Sequence, residues 1–122
     1  NRFLSRAAGK TINAIFTPHL IPMDRGILST AYAKPTKSGT TQAEVIDVLK
    51  AKYAGENFVQ VVDELPATKD VSGTNHCHIT ARIVQGRVVV LSVIDNLIKG
   101  ASGAAVQNFN VINGYDEHLG LT

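Results

Sequence analysis

Asn75-His76-Cys77-His78-Ile79-Thr80-Ala81-Arg82-Ile83-Val84-Gln85-Gly86-Arg87-Val88-Val89-Val90-Leu91-Ser92-Val93-Ile94 is the stretch that decides the fold. Two strand-like runs flank a two-residue connection, Gln85-Gly86, with glycine where a hairpin turn needs positive φ. The spacing predicts paired strands over 75–84 and 87–94. In the second, Val88, Val90, Ser92 and Ile94 share one face, and Val89, Leu91 and Val93 the other. Both faces are apolar, which predicts a strand covered on both sides.

Downstream, a helix is expected from about Lys99 to Asn113, opening on Gly100-Ala101-Ser102-Gly103 and closing at Gly114. Upstream, Phe58–Val62 reads as a short strand and Asp63–Gly73 as a polar connection containing Pro66. Thr41-Gln42-Ala43-Glu44 forms a capping box for a helix whose apolar stripe is Val45, Val48, Leu49 and Tyr53, ended by Gly55. Lys34–Thr41 is an exposed loop, and Gly26–Ala33 and Thr11–Phe16 are strands. Between those two strands, Pro18 and Pro22 interrupt ladder bonding around His19-Leu20-Ile21. Asn1–Lys10 reads as the last turns of a helix closed by glycine. Hairpins dominate this order, so the fold class is α+β, a mixed, mostly antiparallel sheet with helices packed on it.

The 122 residues suit one domain, and 44% hydrophobic with 18% charged residues is a globular balance. A chain this size is expected to bury roughly two-thirds of its unfolded surface and to hold a core unaided. The net charge of +2 is scattered, so nothing argues for nucleic acid or an anionic membrane as partner. The longest apolar run, Val88–Leu91, is strand-sized, and Asn1–Arg6 has no signal-peptide core. One cysteine excludes an internal disulfide and any multi-cysteine metal site, and fits a reducing, cytoplasmic setting. A sequence that opens mid-helix on Asn1, without an initiator Met, is expected to be a piece of something longer.

Cys77 is the only thiol, yet the neighbouring His76 and His78 would point away from it along a strand. A small buried hydrophobe is the better reading than a nucleophile. The two histidines share a face and could supply two metal ligands, but no third is implied. His118 is assigned nothing. Arg25, between a Pro-bounded segment and an apolar strand, is a natural fork for a carboxylate or phosphate, or else an ordinary ion pair. His19, held between two prolines, is a similar candidate. Gly100–Gly103 admits either a ligand at a helix N-terminus or close packing of another segment.

Three longer motifs carry a family resemblance. Phe16-Thr17-Pro18-His19-Leu20-Ile21-Pro22-Met23-Asp24-Arg25-Gly26-Ile27-Leu28 resembles a segment of the N-acetyl-gamma-glutamyl-phosphate reductases, as does Gly73-Thr74-Asn75-His76-Cys77-His78-Ile79. Ser92-Val93-Ile94-Asp95-Asn96-Leu97-Ile98-Lys99-Gly100-Ala101-Ser102-Gly103-Ala104-Ala105-Val106-Gln107-Asn108 is the strongest match. The resemblance implies an enzyme of arginine biosynthesis that reduces N-acetylglutamyl phosphate with NADPH to the semialdehyde and phosphate. It implies an N-terminal Rossmann domain and a second α+β domain like the C-terminal domain of glyceraldehyde-3-phosphate dehydrogenase, which carries substrate contacts and the subunit interface. The family's cysteine nucleophile and acid/base histidine match no position here, and its Gly-rich Rossmann turn is absent.

The resemblance therefore implies that residues 1–122 are the C-terminal substrate-binding and dimerisation domain, inactive alone, with NADP held mainly by the missing Rossmann domain. Arg25 and His19 become candidate substrate contacts, and Asn96, Lys99, Gly103 and Gln107 candidate cofactor or interdomain contacts. Expected partners are the acyl phosphate, the Rossmann domain and a second copy in a homo-oligomer. Two alternatives stay open: a related semialdehyde dehydrogenase with an aspartyl or aminoadipyl substrate, and a stand-alone binding or oligomerisation module. If the C-terminal helix docks elsewhere, its second face (Val106, Phe109 and Ile112) is left exposed.

Overall fold

A computed structural model describes residues 1–122. The Gln85-Gly86 connection forms as expected, with φ of 48° and 72°, both in the left-handed region that a twisted two-residue hairpin requires. It joins β3 (Cys77–Val84) to β4 (Arg87–Ile94), paired antiparallel with Val84 opposite Arg87. The first strand starts two residues later than the sequence predicts, so Asn75 and His76 precede the ladder. β1 (Ile27–Ala33) pairs antiparallel with the far side of β4, Ile27 opposite Ile94. β2 (Val59–Val61) pairs parallel with β3. The result is a four-stranded mixed sheet in the order β1-β4-β3-β2, the expected α+β class.

Three helices accompany the sheet. α1 (Arg2–Ala8) ends at Gly9, as predicted. α2 (Gln42–Lys52) starts from Thr41, whose hydroxyl accepts from the Glu44 N–H while the Glu44 carboxylate accepts from the Thr41 N–H. α2 lies in the connection between the two edge strands, β1 and β2, and packs over β3 and β2. Its inward side is Val45, Ile46, Leu49 and Tyr53, with Ile46 buried; Val48, placed in the stripe by sequence, is exposed. α3 (Gly103–Asn113) follows a single π-helical turn, Ile98–Ser102, and closes at Gly114.

Three expectations fail, for one physical reason. Thr11–Phe16 is not a strand: it pairs with no other strand, and its only bonds run back to α1 through Ser5 and Asn1. Ile15 and Phe16 are 96% and 86% exposed. In β4, Val89 and Val93 are buried, but Val88, Val90, Ser92 and Ile94 stay half-exposed, so cover on both sides is not achieved. The core is also smaller than the length predicts. Only 12 residues are buried, and the accessible surface is 8792 Å², against about 6,300 Å² for a compact monomer of this mass. The apolar sequence pattern asks for more packing partners than these residues supply to one another.

Two outcomes follow. Thr41→Ala should lower unfolding free energy by about 1 kcal/mol, with Thr41→Ser close to wild type, read by urea denaturation. With Val106, Phe109 and Ile112 all exposed on α3, residues 1–122 alone should self-associate. Sedimentation as a compact monomer at high concentration would count against it.

Candidate functional site

Asp95 stands at the C-terminal end of β4, where the chain leaves the sheet, and its side chain is fully buried. One oxygen accepts from the Leu97 and Ile98 N–H groups at 2.8 and 3.0 Å, a local N-cap that starts the π-helical turn. The other accepts from the Gly73 N–H at 2.8 Å and from the Arg25 guanidinium at 2.5 Å. Burial pushes the Asp95 pKa up, but the Gly73, Arg25, Leu97 and Ile98 donors outweigh it and hold the carboxyl far below the ordinary carboxylate range. Next to it, Asn96 Oδ1 accepts from the Gly26 N–H at 2.7 Å. The Asp95-Asn96 pair thus ties together the end of the arm (10–26), the loop before β3 and the turn before α3.

Arg25, nominated as an anion fork, is therefore also an ion-pair partner. Its side chain keeps 39% exposure, with Nη2 bonded to Asp95 and Nε buried without a hydrogen-bond partner. His19, nominated with it, is exposed and its ring bonds only to the Thr17 carbonyl, so no contact joins it to Arg25.

A second polar knot ties α3 to the segment before β3 and to the C-terminal tail. Gln107 Oε1 accepts from Asn75 Nδ2 at 2.9 Å and from Lys99 Nζ at 2.6 Å. Gln107 Nε2 donates to Glu117 Oε1, and Glu117 Oε2 accepts from Asn57. Those two amide donors lower the Glu117 pKa. Lys99 also lies 5.4 Å from the centre of the Phe58 ring, which packs against His76 and His118. Buried Asn110 holds the tail through the Glu117 and Leu119 carbonyls, and the Asn75 N–H donates to the Thr122 carbonyl. Gly103 admits no side chain: a Cβ there would stand 2.4 Å from Asn75 Oδ1 and 2.6 Å from Ile98 Cγ2. The small residues at Gly103 serve close packing.

The structure thus brings Lys99, Gly103 and Gln107 into one cluster and puts Asn96 beside Arg25. Sequence reasoning passed over Asp95, Asn75, Asn57 and Glu117. For Asp95 a signal existed, since an acidic residue at a strand end three residues before a helical turn is a capping pattern. For the others the contacts span up to 60 residues, and nothing local marks them. Cys77 is half-buried and burial raises its thiol pKa, which fits a packed thiol. The His76 pKa is pushed down by burial first and then by the nearby His78, His118 and Lys99.

Among known families, the description "Semialdehyde dehydrogenase, dimerisation domain" matches residues 1–96. Curated relatives include N-acetyl-gamma-glutamyl-phosphate reductases from Magnetococcus marinus, 52% identical over 97% of this chain and 35% of that protein. Those from Citrifermentans bemidjiense and Rhodopirellula baltica are 54% and 52% identical, with the same coverage. The chain spans about a third of the length of the curated relatives it matches.

The Asp95 centre makes stability pH-dependent with a defined sign. Its folded pKa lies below the ordinary 3.8, so its contribution is complete above that value and is lost as pH falls from 3.8 toward the folded pKa. Asp95→Asn should destabilise strongly near pH 6, by about 3 kcal/mol or more, and the gap to wild type should close below pH 3.8. Urea midpoints between pH 2 and 6 would read this; a gap independent of pH would contradict it.

Proposed function

We propose that this chain, which belongs to the semialdehyde dehydrogenase dimerisation-domain family, is the C-terminal domain of an NADP-dependent reductase that converts N-acetylglutamyl phosphate to N-acetylglutamate semialdehyde and phosphate in arginine biosynthesis. The observation that carries the reading is identity near one half with reductases of that name, across almost all of the chain. The half-built core supports it too, because a domain made to pack against a Rossmann domain and a second copy leaves such surface open by itself. The family's thiol chemistry has no counterpart here, since Cys77 is half-buried with a raised pKa.

In this reading Arg25 binds the substrate's anionic end. Arginine matches a carboxylate or phosphate with a planar pair of donors, and the bond from Nη2 to buried Asp95 restrains that plane before substrate arrives. His19 stays a secondary candidate, because it is exposed and its ring bonds only to the Thr17 carbonyl. When bound, NADPH would supply the hydride. Whether the α3 segment can touch it depends on which donors are left over. Asn96 uses its oxygen on Gly26 and keeps its amide N–H₂, and Lys99 uses one of its N–H groups on Gln107. Gln107 is engaged at both ends and Gly103 is covered by Asn75 and Ile98. Asn96 and Lys99 thus fit the cofactor-facing role, and Gln107 and Gly103 seat the helix that carries them.

The test is a phosphate-dependent oxidation assay of N-acetylglutamate semialdehyde with the full-length protein and NADP. Activity with the acetylglutamyl compound and not with aspartate semialdehyde is the expected result; the reverse preference would overturn the substrate assignment. Arg25→Ala should lower kcat/KM about a hundredfold, close to 2.7 kcal/mol, mostly through KM, with Arg25→Lys recovering part.

A further inference from the structure

The Lys99 side chain is held by a single hydrogen bond. Its ammonium donates to Gln107 Oε1 at 2.6 Å, and none of the molecule's four ion pairs includes it. The Phe58 ring, its centre 5.4 Å from Nζ, adds attraction but no acceptor atom. Where this half-buried cation sits is therefore decided by which end of the Gln107 amide it meets. The oxygen attracts it, whereas an amide N–H₂ in the same place would set donor against donor. The two ends of a primary amide have nearly the same shape, so packing does not choose between them. A neighbour that can only accept does.

Glu117 is that neighbour, because an ionised carboxylate has no proton to donate. Its Oε1 accepts from Gln107 Nε2 at 2.6 Å, which leaves Gln107 Oε1 for Lys99 and Asn75. Its Oε2 accepts from Asn57 Nδ2 at 2.9 Å, so both carboxylate oxygens are engaged, and the same two donors favour the ionised form. The negative charge thus acts on Lys99 through an intervening amide dipole rather than as a direct pair. Glu117 is half-buried, while Asp116 and His118 on either side are exposed. Buried Asn110 holds the tail at this point by donating to the Glu117 and Leu119 carbonyls. The segment after α3 therefore returns one acceptor to one residue of that helix.

We propose that Glu117 is a positioning residue of the reductase: by locking the Gln107 amide it holds the Lys99 ammonium in place for the cofactor. Glu117 itself touches neither substrate nor cofactor and acts through Lys99. This inference rests on the reductase reading and on the cofactor-facing role of Lys99 proposed above. Without an acceptor at position 117 the amide is free to turn, its N–H₂ comes to face Lys99, and the ammonium leaves its place. A residue that merely packed the tail down would need no acceptor, and leucine, of similar size, would serve equally well.

The experiment uses the full-length protein and follows NADPH binding by the change in the cofactor's fluorescence. Glu117→Leu should raise the Kd about tenfold, the loss of one charge-assisted hydrogen bond. In a Lys99→Met background the same substitution should change the Kd by less than about twofold, because the cation it positions is already gone. Glu117→Gln, which keeps one acceptor oxygen, should recover most of the affinity. Equal losses in both backgrounds would overturn the inference in favour of general damage to the fold, and an unchanged Kd for Glu117→Leu would overturn it outright. The Asn110 bonds to the tail run to backbone carbonyls, so no substitution at 117 removes them. Should the leucine variant still not fold, Glu117→Met, unbranched and equally without a strong acceptor, takes its place in the same comparison. A full-length protein that binds no NADPH would sink the reductase reading as well, whereas tight binding indifferent to Glu117 would sink this inference alone.

Discussion

A single buried carboxylate organises the part of this molecule where chemistry is placed. Taking Asp95 out of water costs several kcal/mol unless its lone pairs are filled. Here four donors from three separate segments fill them: the Arg25 guanidinium, the Gly73 N–H, and the Leu97 and Ile98 N–H groups. Removing any one of them returns part of the desolvation cost, so the segments are held together by a shared penalty. The position of Arg25, the entry into α3 and the loop ahead of β3 all depend on that residue. Asn96 adds the Gly26 backbone to the same knot.

The knot would not hold α3 without the second one. Gln107 accepts from Asn75 and Lys99 and donates to Glu117, and each of these partners comes from a different region of the chain. Asn75 can approach only because position 103 has no side chain. The missing side chain at Gly103 therefore decides how closely the start of α3 comes to the segment before β3.

Against these two polar anchors, the apolar packing is sparse. α2 covers β3 and β2, but the half of the sheet made by β4 and β1 has little over it, and the arm of residues 10–26 touches little beyond α1 and the Asp95 centre. Exposed Phe16, Leu20, Tyr32, Phe109 and Ile112 lie in the arm, on β1 and on α3. Surface of that kind belongs to interfaces, which accords with membership of a dimerisation-domain family. It also explains how a chain with a globular composition ends with so few buried residues.

Local rules determined much of this. The Gln85-Gly86 turn, the Thr41–Glu44 capping box and the closing glycines at 9 and 114 were legible because each depends on residues a few positions apart. The α+β class followed from their order. The motifs around Arg25, Asn75 and Asp95–Gln107 were enough to suggest the family. What the sequence could not decide is which strand-like segments find a partner: Thr11–Phe16 and Ile27–Ala33 alternate equally well, and only the second meets β4. Nor could it set the partners of Arg25, since Asp95 stands 70 residues away and becomes its counter-charge only when β1 and β4 pair in register. Pattern depends on near neighbours along the chain, whereas strand pairing and buried charge depend on neighbours in space. Those neighbours exist only after the sheet has formed.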